Sequence, residues 1–149
     1  MSRYCFLYHI VFRTKGSMLT IDERHEKELY GYIHQFCNNK QSKLYRIGGM
    51  PDHIHMLVSI HPSIAVATFV QILKTETSKW LKESPSFPIF CGWAEGYAAF
   101  TYAYRDLDKV KGYIMRQKEH HHSITLAQEY NDLLAEFHVN PSDDYFLRD

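Results

Sequence analysis

The hydrophobic period of this chain alternates between two residues and 3.6 residues in one fixed order, and that order leaves few folds open. Tyr4 to Phe12 is rich in aromatic and β-branched residues and runs into the turn-like Lys15-Gly16-Ser17, which predicts a strand. Thr20, with Glu23 three residues on, has the capping-box pattern. It predicts a helix with Ile21, Leu29, Ile33 and Phe36 on its inner side, ending near Asn38-Asn39. Lys43 to Ile47 predicts a second strand that stops at Gly48-Gly49, and His53 to Ile60 a third. Ser63 is the expected cap of a second helix, in which Val66, Phe69, Val70, Leu73, Thr77, Trp80 and Leu81 keep helical spacing. Beyond the breakers Pro85 and Pro88, the aromatics of Tyr97 to Tyr104 predict a fourth strand. Asp106 to about His121 predicts a third helix and Leu126 to Phe137 a fourth.

A β-α-β-β-α-β order followed by helices is that of an α+β, ferredoxin-like or RRM-like sandwich, an antiparallel four-stranded sheet with two helices on one face. At 149 residues the chain is expected to form one domain, 1–149, without repeats or linkers. Its 45% hydrophobic content, with 11 Tyr and 9 Phe, is enough to fill one core. The longest membrane candidate, Ile64 to Val70, falls far short of the ~18–20 apolar residues a span needs. The start, Met1-Ser2-Arg3-Tyr4, has no signal-peptide pattern. Cys5, Cys37 and Cys91 are scattered and form no CxxC pair, which argues against a zinc knuckle or a disulfide framework. The expectation is a cytoplasmic protein with no membrane partner. Net charge is zero, but residues 1–128 hold 16 Lys and Arg against 11 Asp and Glu, whereas 129–149 hold Arg148 against six acids. A moderately basic body with an acidic tail is compatible with a DNA partner without demanding one.

The densest chemical signal is Pro51-Asp52-His53-Ile54-His55-Met56-Leu57-Val58. Alternate side chains of a strand point the same way, so His53 and His55 share a face and their rings can converge on one cation. The plainer alternative is two histidines on a half-exposed strand. His61 keeps the same parity but lies ~20 Å along the strand from His55, too far for a third ligand. Asp52 either orients a histidine or shapes the turn after Pro51.

The second signal is Lys111-Gly112-Tyr113-Ile114-Met115-Arg116-Gln117, in which Tyr113 and Gln117 stack on one helical face. Leu107, Val110, Ile114 and His121 form a neighbouring stripe that would hold this helix against the sheet. Either Tyr113 is an ordinary packing residue, one of 11 tyrosines, or it carries chemistry. Arg105, Lys109, Lys111, Arg116 and Lys118 make the segment basic, as a solvated helix face also would be. His120 to His122 follow, and His121 reads as a surface residue in preference to a further ligand or a proton carrier. Trp93 and Tyr97 read as core, while Lys15, Lys43 and Arg46 are candidate phosphate contacts near strand ends.

Together these segments resemble the single-tyrosine HUH transposases of small bacterial insertion sequences and their relatives, the REP-associated tyrosine transposases. The likeness is carried by Tyr8-His9-Ile10-Val11-Phe12-Arg13-Thr14-Lys15, by Asp52-His53-Ile54-His55, by Trp93 with Gly96-Tyr97-Ala98-Ala99-Phe100, and by Val110 to Gln117 with His120-His121. It implies that His53, His55 and Gln117 bind one divalent ion, Mg²⁺ or Mn²⁺. It also implies that Tyr113 attacks a phosphate of single-stranded DNA, keeps the 5′ phosphate and releases a 3′ hydroxyl. The preferred strand would carry hairpin ends, no nucleotide cofactor would be needed, and the chain would form a homodimer whose tyrosine helix, flexing at Gly112, can reach the partner's histidines. Two rivals are weighed against this: a non-catalytic RRM-like nucleic-acid module that stacks bases on sheet aromatics, and a metal-dependent hydrolase that uses a bound water.

Overall fold

The computed structural model describes residues 2–121 and 124–139. Four strands, β1 (Tyr8–Arg13), β2 (Lys43–Met50), β3 (His53–Ser59) and β4 (Ala98–Thr101), form one sheet in the order β2-β3-β1-β4. All pairings are antiparallel, with Val11 opposite both His55 and Ala98. The helices are α1 (Glu26–Asn39), α2 (Val66–Glu83), α3 (Leu107–Met115), α4 (Gln117–His120) and α5 (Leu126–Glu136). This is the ferredoxin-like order expected from the periodicity.

The two faces of the sheet have different work. Ile10, Phe12, Ile54, Met56 and Val58 point one way and pack on Leu29, Ile33 and Phe36 of α1 and on Phe69, Val70 and Leu73 of α2. The opposite parity, Val11, Ala98 and Phe100, lies under Tyr130, Leu133 and Leu134 of α5. Leu57 on that same face meets Val110 and Ile114 of α3. With both faces covered, β1 is buried from His9 to Arg13 and not only at alternate residues, as a doubly covered strand is.

Element ends depart from expectation for tertiary reasons. Thr20 caps nothing: the N–H groups of Thr20 and Ile21 donate to the Pro51 carbonyl at 3.1 and 2.9 Å, so this stretch is tied to the β2–β3 turn and α1 begins only at Glu26. Ser63 is engaged with the His61 ring, 2.7 Å away, and α2 begins at Val66. β1 starts at Tyr8, not Tyr4, and β4 stops at Thr101. β2 does not end at its glycines but continues to Met50. A Cβ on Gly48 would stand 2.7 Å from the Ile114 carbonyl oxygen, so the absent side chain is what lets α3 lie on the sheet. The predicted third helix breaks at Arg116 (φ −97°, ψ 20°), which separates α3 from the short α4.

Candidate active site

β3 delivers two histidines to the face covered by α3 and α5. His53 and His55 are fully buried there, two residues apart, with ring centroids 5.1 Å apart. The strand-surface alternative therefore fails, because the helices close over them. α3 brings Tyr113 to the same place, its ring 5.8 Å from that of His55. One residue past the helix break, Gln117 is buried with its Oε1 3.2 Å from His53 Nε2. Across the break Tyr113 and Gln117 still reach one acceptor, a carboxylate oxygen of Glu129 on α5.

The element that completes the cluster is α5. Thr125 caps it by accepting from Gln128 N–H at 3.2 Å, and Leu126, Tyr130, Leu133 and Leu134 seat it on the sheet. Glu129 lies among those inward positions and is buried at the centre of the site. Its Oε1 accepts from His55 Nε2–H and from His121 Nε2–H, each at 3.0 Å, and lies 3.6 Å from His53 Nε2. Its Oε2 accepts from Gln117 Nε2–H at 3.0 Å and from the Tyr113 hydroxyl, and lies 3.2 Å from His120 Nε2. The acidic-tail reading is thus corrected at its start, since residues 129–136 are packed helix and Tyr130 is core. The surface reading of His121 is corrected too: its side chain is 7% exposed and its ring lies 4.7 Å from that of His53. His122, Tyr145 and Arg148 lie outside the described residues.

Around this cluster hydrogen bonds fix the imidazole protons. His53 Nδ1–H donates to Asp52 Oδ1 at 2.6 Å, so Asp52 orients the ring. Burial works to lower the His53 pKa, but its bonds to Asp52 and Glu129 outweigh burial and raise it to about 9. Burial holds His55 down, to about 4, against the opposing pull of Glu129. Burial also works to raise Glu129, yet its bonds to His121, His53 and His55 keep it well below the carboxylate range. The Tyr113 phenol is pushed far above its ordinary value, by burial first and then by the bond to Glu129.

The donor atoms of His53, His55, His121 and Glu129 all lie within 4.8 Å of one another. Ligands ~2.0–2.2 Å from a common cation stand up to ~4.4 Å apart, so these residues fit one divalent ion with little adjustment. Gln117 Oε1 lies on the same side. The candidate phosphate contacts do not gather. Lys15 follows β1 at the His53 end of the sheet, whereas Lys43 is at the far end, over the Tyr45 ring. Arg46 reaches Met115 of α3. Trp93 and Tyr97 pack on the core, as expected.

The comparisons with known proteins point one way. The family model described as "Transposase IS200 like" matches residues 2–117. Transposases for insertion sequence element IS200 from Salmonella typhimurium and Salmonella typhi are each 28% identical over 123 residues, which span 79% of this chain and 80% of theirs. Among solved structures, a candidate transposase from Deinococcus radiodurans R1 superposes with a TM-score of 0.58 at 20% identity, over 78% of this chain and 95% of its own. A REP-associated tyrosine transposase bound to a REP hairpin gives 0.60 at 11% identity, over 81% and 74%. These structural likenesses speak for the fold. His121 and Glu129 lie beyond the span of the family match.

Proposed function

The chain belongs to the IS200-like transposase family, and from that premise we propose that it is a single-tyrosine HUH enzyme that cuts and rejoins single-stranded DNA through Tyr113. The observation that carries this reading is the convergence of a tyrosine hydroxyl, two strand histidines, Gln117 and Glu129 in one buried cluster. A divalent cation held there supplies Lewis-acid polarisation of the scissile phosphate. His53, His55, His121 and Glu129 would hold it, with Gln117 Oε1 alongside. Mg²⁺ and Mn²⁺ are the proposed ions, and a set of three imidazoles and one carboxylate favours Mn²⁺.

The two oxygens of Glu129 divide the remaining tasks. Oε1 faces the histidines, while Oε2 accepts from Tyr113. A part-buried phenol with a raised pKa is a poor nucleophile while it keeps its proton, and Oε2, which takes its hydrogen bond, holds its oxygen in the site. The phenol oxygen then bonds to phosphorus, the bond from phosphorus to the 3′ oxygen breaks, and the released 3′ hydroxyl takes up a proton. The phosphotyrosine keeps the bond energy, and attack by a 3′ hydroxyl reverses the step. Single strands with hairpin ends are the proposed substrate, supported by the hairpin bound to the REP-associated fold relative.

The non-catalytic alternative needs sheet aromatics open to bases. Phe100 is 6% exposed beneath α5, and His9 on the same face is buried. Among the described residues no helix is long and apolar enough to cross a membrane. The test is Tyr113→Phe with labelled single-stranded DNA from the flanks of its own gene. Wild type is expected to form a denaturation-resistant adduct at a 5′ phosphate that maps to the Tyr113 peptide, and the variant to bind DNA without forming it. An adduct on another tyrosine, or one that forms fully in excess chelator, would overturn the reading.

A further inference from the structure

One buried histidine has no part in that scheme. His9 lies on β1 with the parity of Val11, on the site face, and is completely buried. Its Nε2 is 2.7 Å from His55 Nδ1, and the two rings stack with centroids 5.0 Å apart. Its other nitrogen, Nδ1, has no partner among the described residues. His55 is therefore held at both ends, by Glu129 at Nε2 and by His9 at Nδ1.

We propose that His9 is the positioning residue that sets the proton of His55 and thereby turns the His55 Nε2 lone pair towards the metal cluster. The inference rests on the reading of His55 as a metal ligand. An ionised carboxylate oxygen only accepts, so in this structure the His55 proton sits on Nε2, and His55 Nδ1 accepts from His9 Nε2–H. Ligation through Nε2 requires the reverse. The His55 proton must then be on Nδ1, where its acceptor is His9 Nε2, and the His9 proton must be on Nδ1. One proton leaves His55 Nε2, one arrives at His9 Nδ1, and the pair stays neutral.

The orphaned nitrogen makes this exchange easy to bias. Among the described residues His9 Nδ1 finds neither a donor for its lone pair nor an acceptor for an N–H, so none of them selects a tautomer at that end. The choice falls to whatever holds His55 Nε2. His53 is built differently, because Asp52 can only accept and fixes its Nδ1 proton permanently. The two strand histidines thus have one rigid orienter and one that follows the metal.

The experiment is long-range ¹H–¹⁵N correlation on histidine-labelled wild type, with and without Mg²⁺, alongside Mn²⁺ calorimetry of wild type, His9→Phe and His9→Gln. Metal-free wild type is expected to show the Nε2–H form of both His9 and His55, and the Mg²⁺-loaded protein the Nδ1–H form of both. His9→Phe is expected to bind Mn²⁺ about 10- to 100-fold more weakly. His9→Gln, which returns an amide oxygen near the Nε2 position, is expected to recover most of that loss. A wild type that binds metal while His9 keeps its Nε2–H overturns the positioning role alone. So does a folded His9→Phe that binds Mn²⁺ as tightly as wild type. A wild type that binds neither ion overturns this role together with the metal reading beneath it.

Discussion

A single carboxylate decides how the residues of the site behave. Glu129 is buried among His53, His55 and His121 and also receives the Tyr113 hydroxyl. Glu129→Gln keeps the shape and removes the charge. It is expected to weaken Mn²⁺ binding about tenfold or more, or ~1.4 kcal/mol, and to slow adduct formation further because the charge-assisted hydrogen bond that holds the Tyr113 hydroxyl is lost. Equal Mn²⁺ affinity by calorimetry would remove Glu129 from the ligand set. The histidines add a pH dependence. Asp52 and Gln117 both offer His53 an oxygen, so without metal both its nitrogens carry protons, in keeping with a pKa of about 9. Metal must displace the Nε2 proton. Affinity is therefore expected to rise about tenfold per pH unit from pH ~7 towards 9 and then level off, with about one proton released per ion at pH ~7.5. A flat profile across that range would contradict it. The same linkage gives metal-free protein a contribution from His53 that is complete below pH ~6.5 and lost as pH rises through about 9.

The elements were legible wherever one period held along a whole segment. Strand parity put His53 and His55 on one face, and the 3.6-residue period joined Tyr113 to Gln117, because both follow from backbone geometry alone. Element ends were not legible where distant groups set them, as when Pro51 claims the N–H groups of Thr20 and Ile21. Glu129 was hidden among the six acids scattered over residues 129–149, yet a signal was present. It falls in the inward series Leu126, Glu129, Tyr130, Leu133, Leu134 of α5, and a carboxylate on the apolar stripe of a helix needs a buried partner. His9 offered a similar clue, sharing the parity of Val11 in a central strand. Gly48→Ala sets a methyl against the Ile114 backbone, which cannot move without moving α3. It is expected to cost about 1–3 kcal/mol in urea unfolding and to lower the rate of adduct formation, because Tyr113 rides on the displaced helix. A variant with wild-type stability and rate would mean that α3 does not depend on this close approach.

Every residue of the candidate site comes together within one chain. The resemblance implies a pair of chains in which the tyrosine helix can reach the partner's histidines. In this structure Tyr113 instead faces His55 of its own chain, and its hydroxyl is held by Glu129 of its own chain. Two anchors keep it there. Val110 and Ile114 pack on Leu57, and Lys118 of α4 ties to Glu26 of α1 at 2.7 Å and to the Gly49 carbonyl of β2 at 3.0 Å. Gly112, the expected flexing point, lies inside the regular part of α3, while the break falls at Arg116, beyond the tyrosine. Carrying Tyr113 to another chain would therefore have to peel all of α3 from the sheet and not bend it at a hinge. Within the one chain described, the tyrosine, the strand histidines and Glu129 already meet. The consequence is measurable by mixing two inactive proteins, His53→Ala and Tyr113→Phe. A site shared between chains would regain one intact composite in every mixed pair. A site built within one chain leaves each protein lacking either its ligand or its nucleophile, so the mixture is expected to form no more adduct than the separate variants. Restoration of a substantial fraction of wild-type adduct would show instead that α3 leaves its own sheet to serve a neighbour.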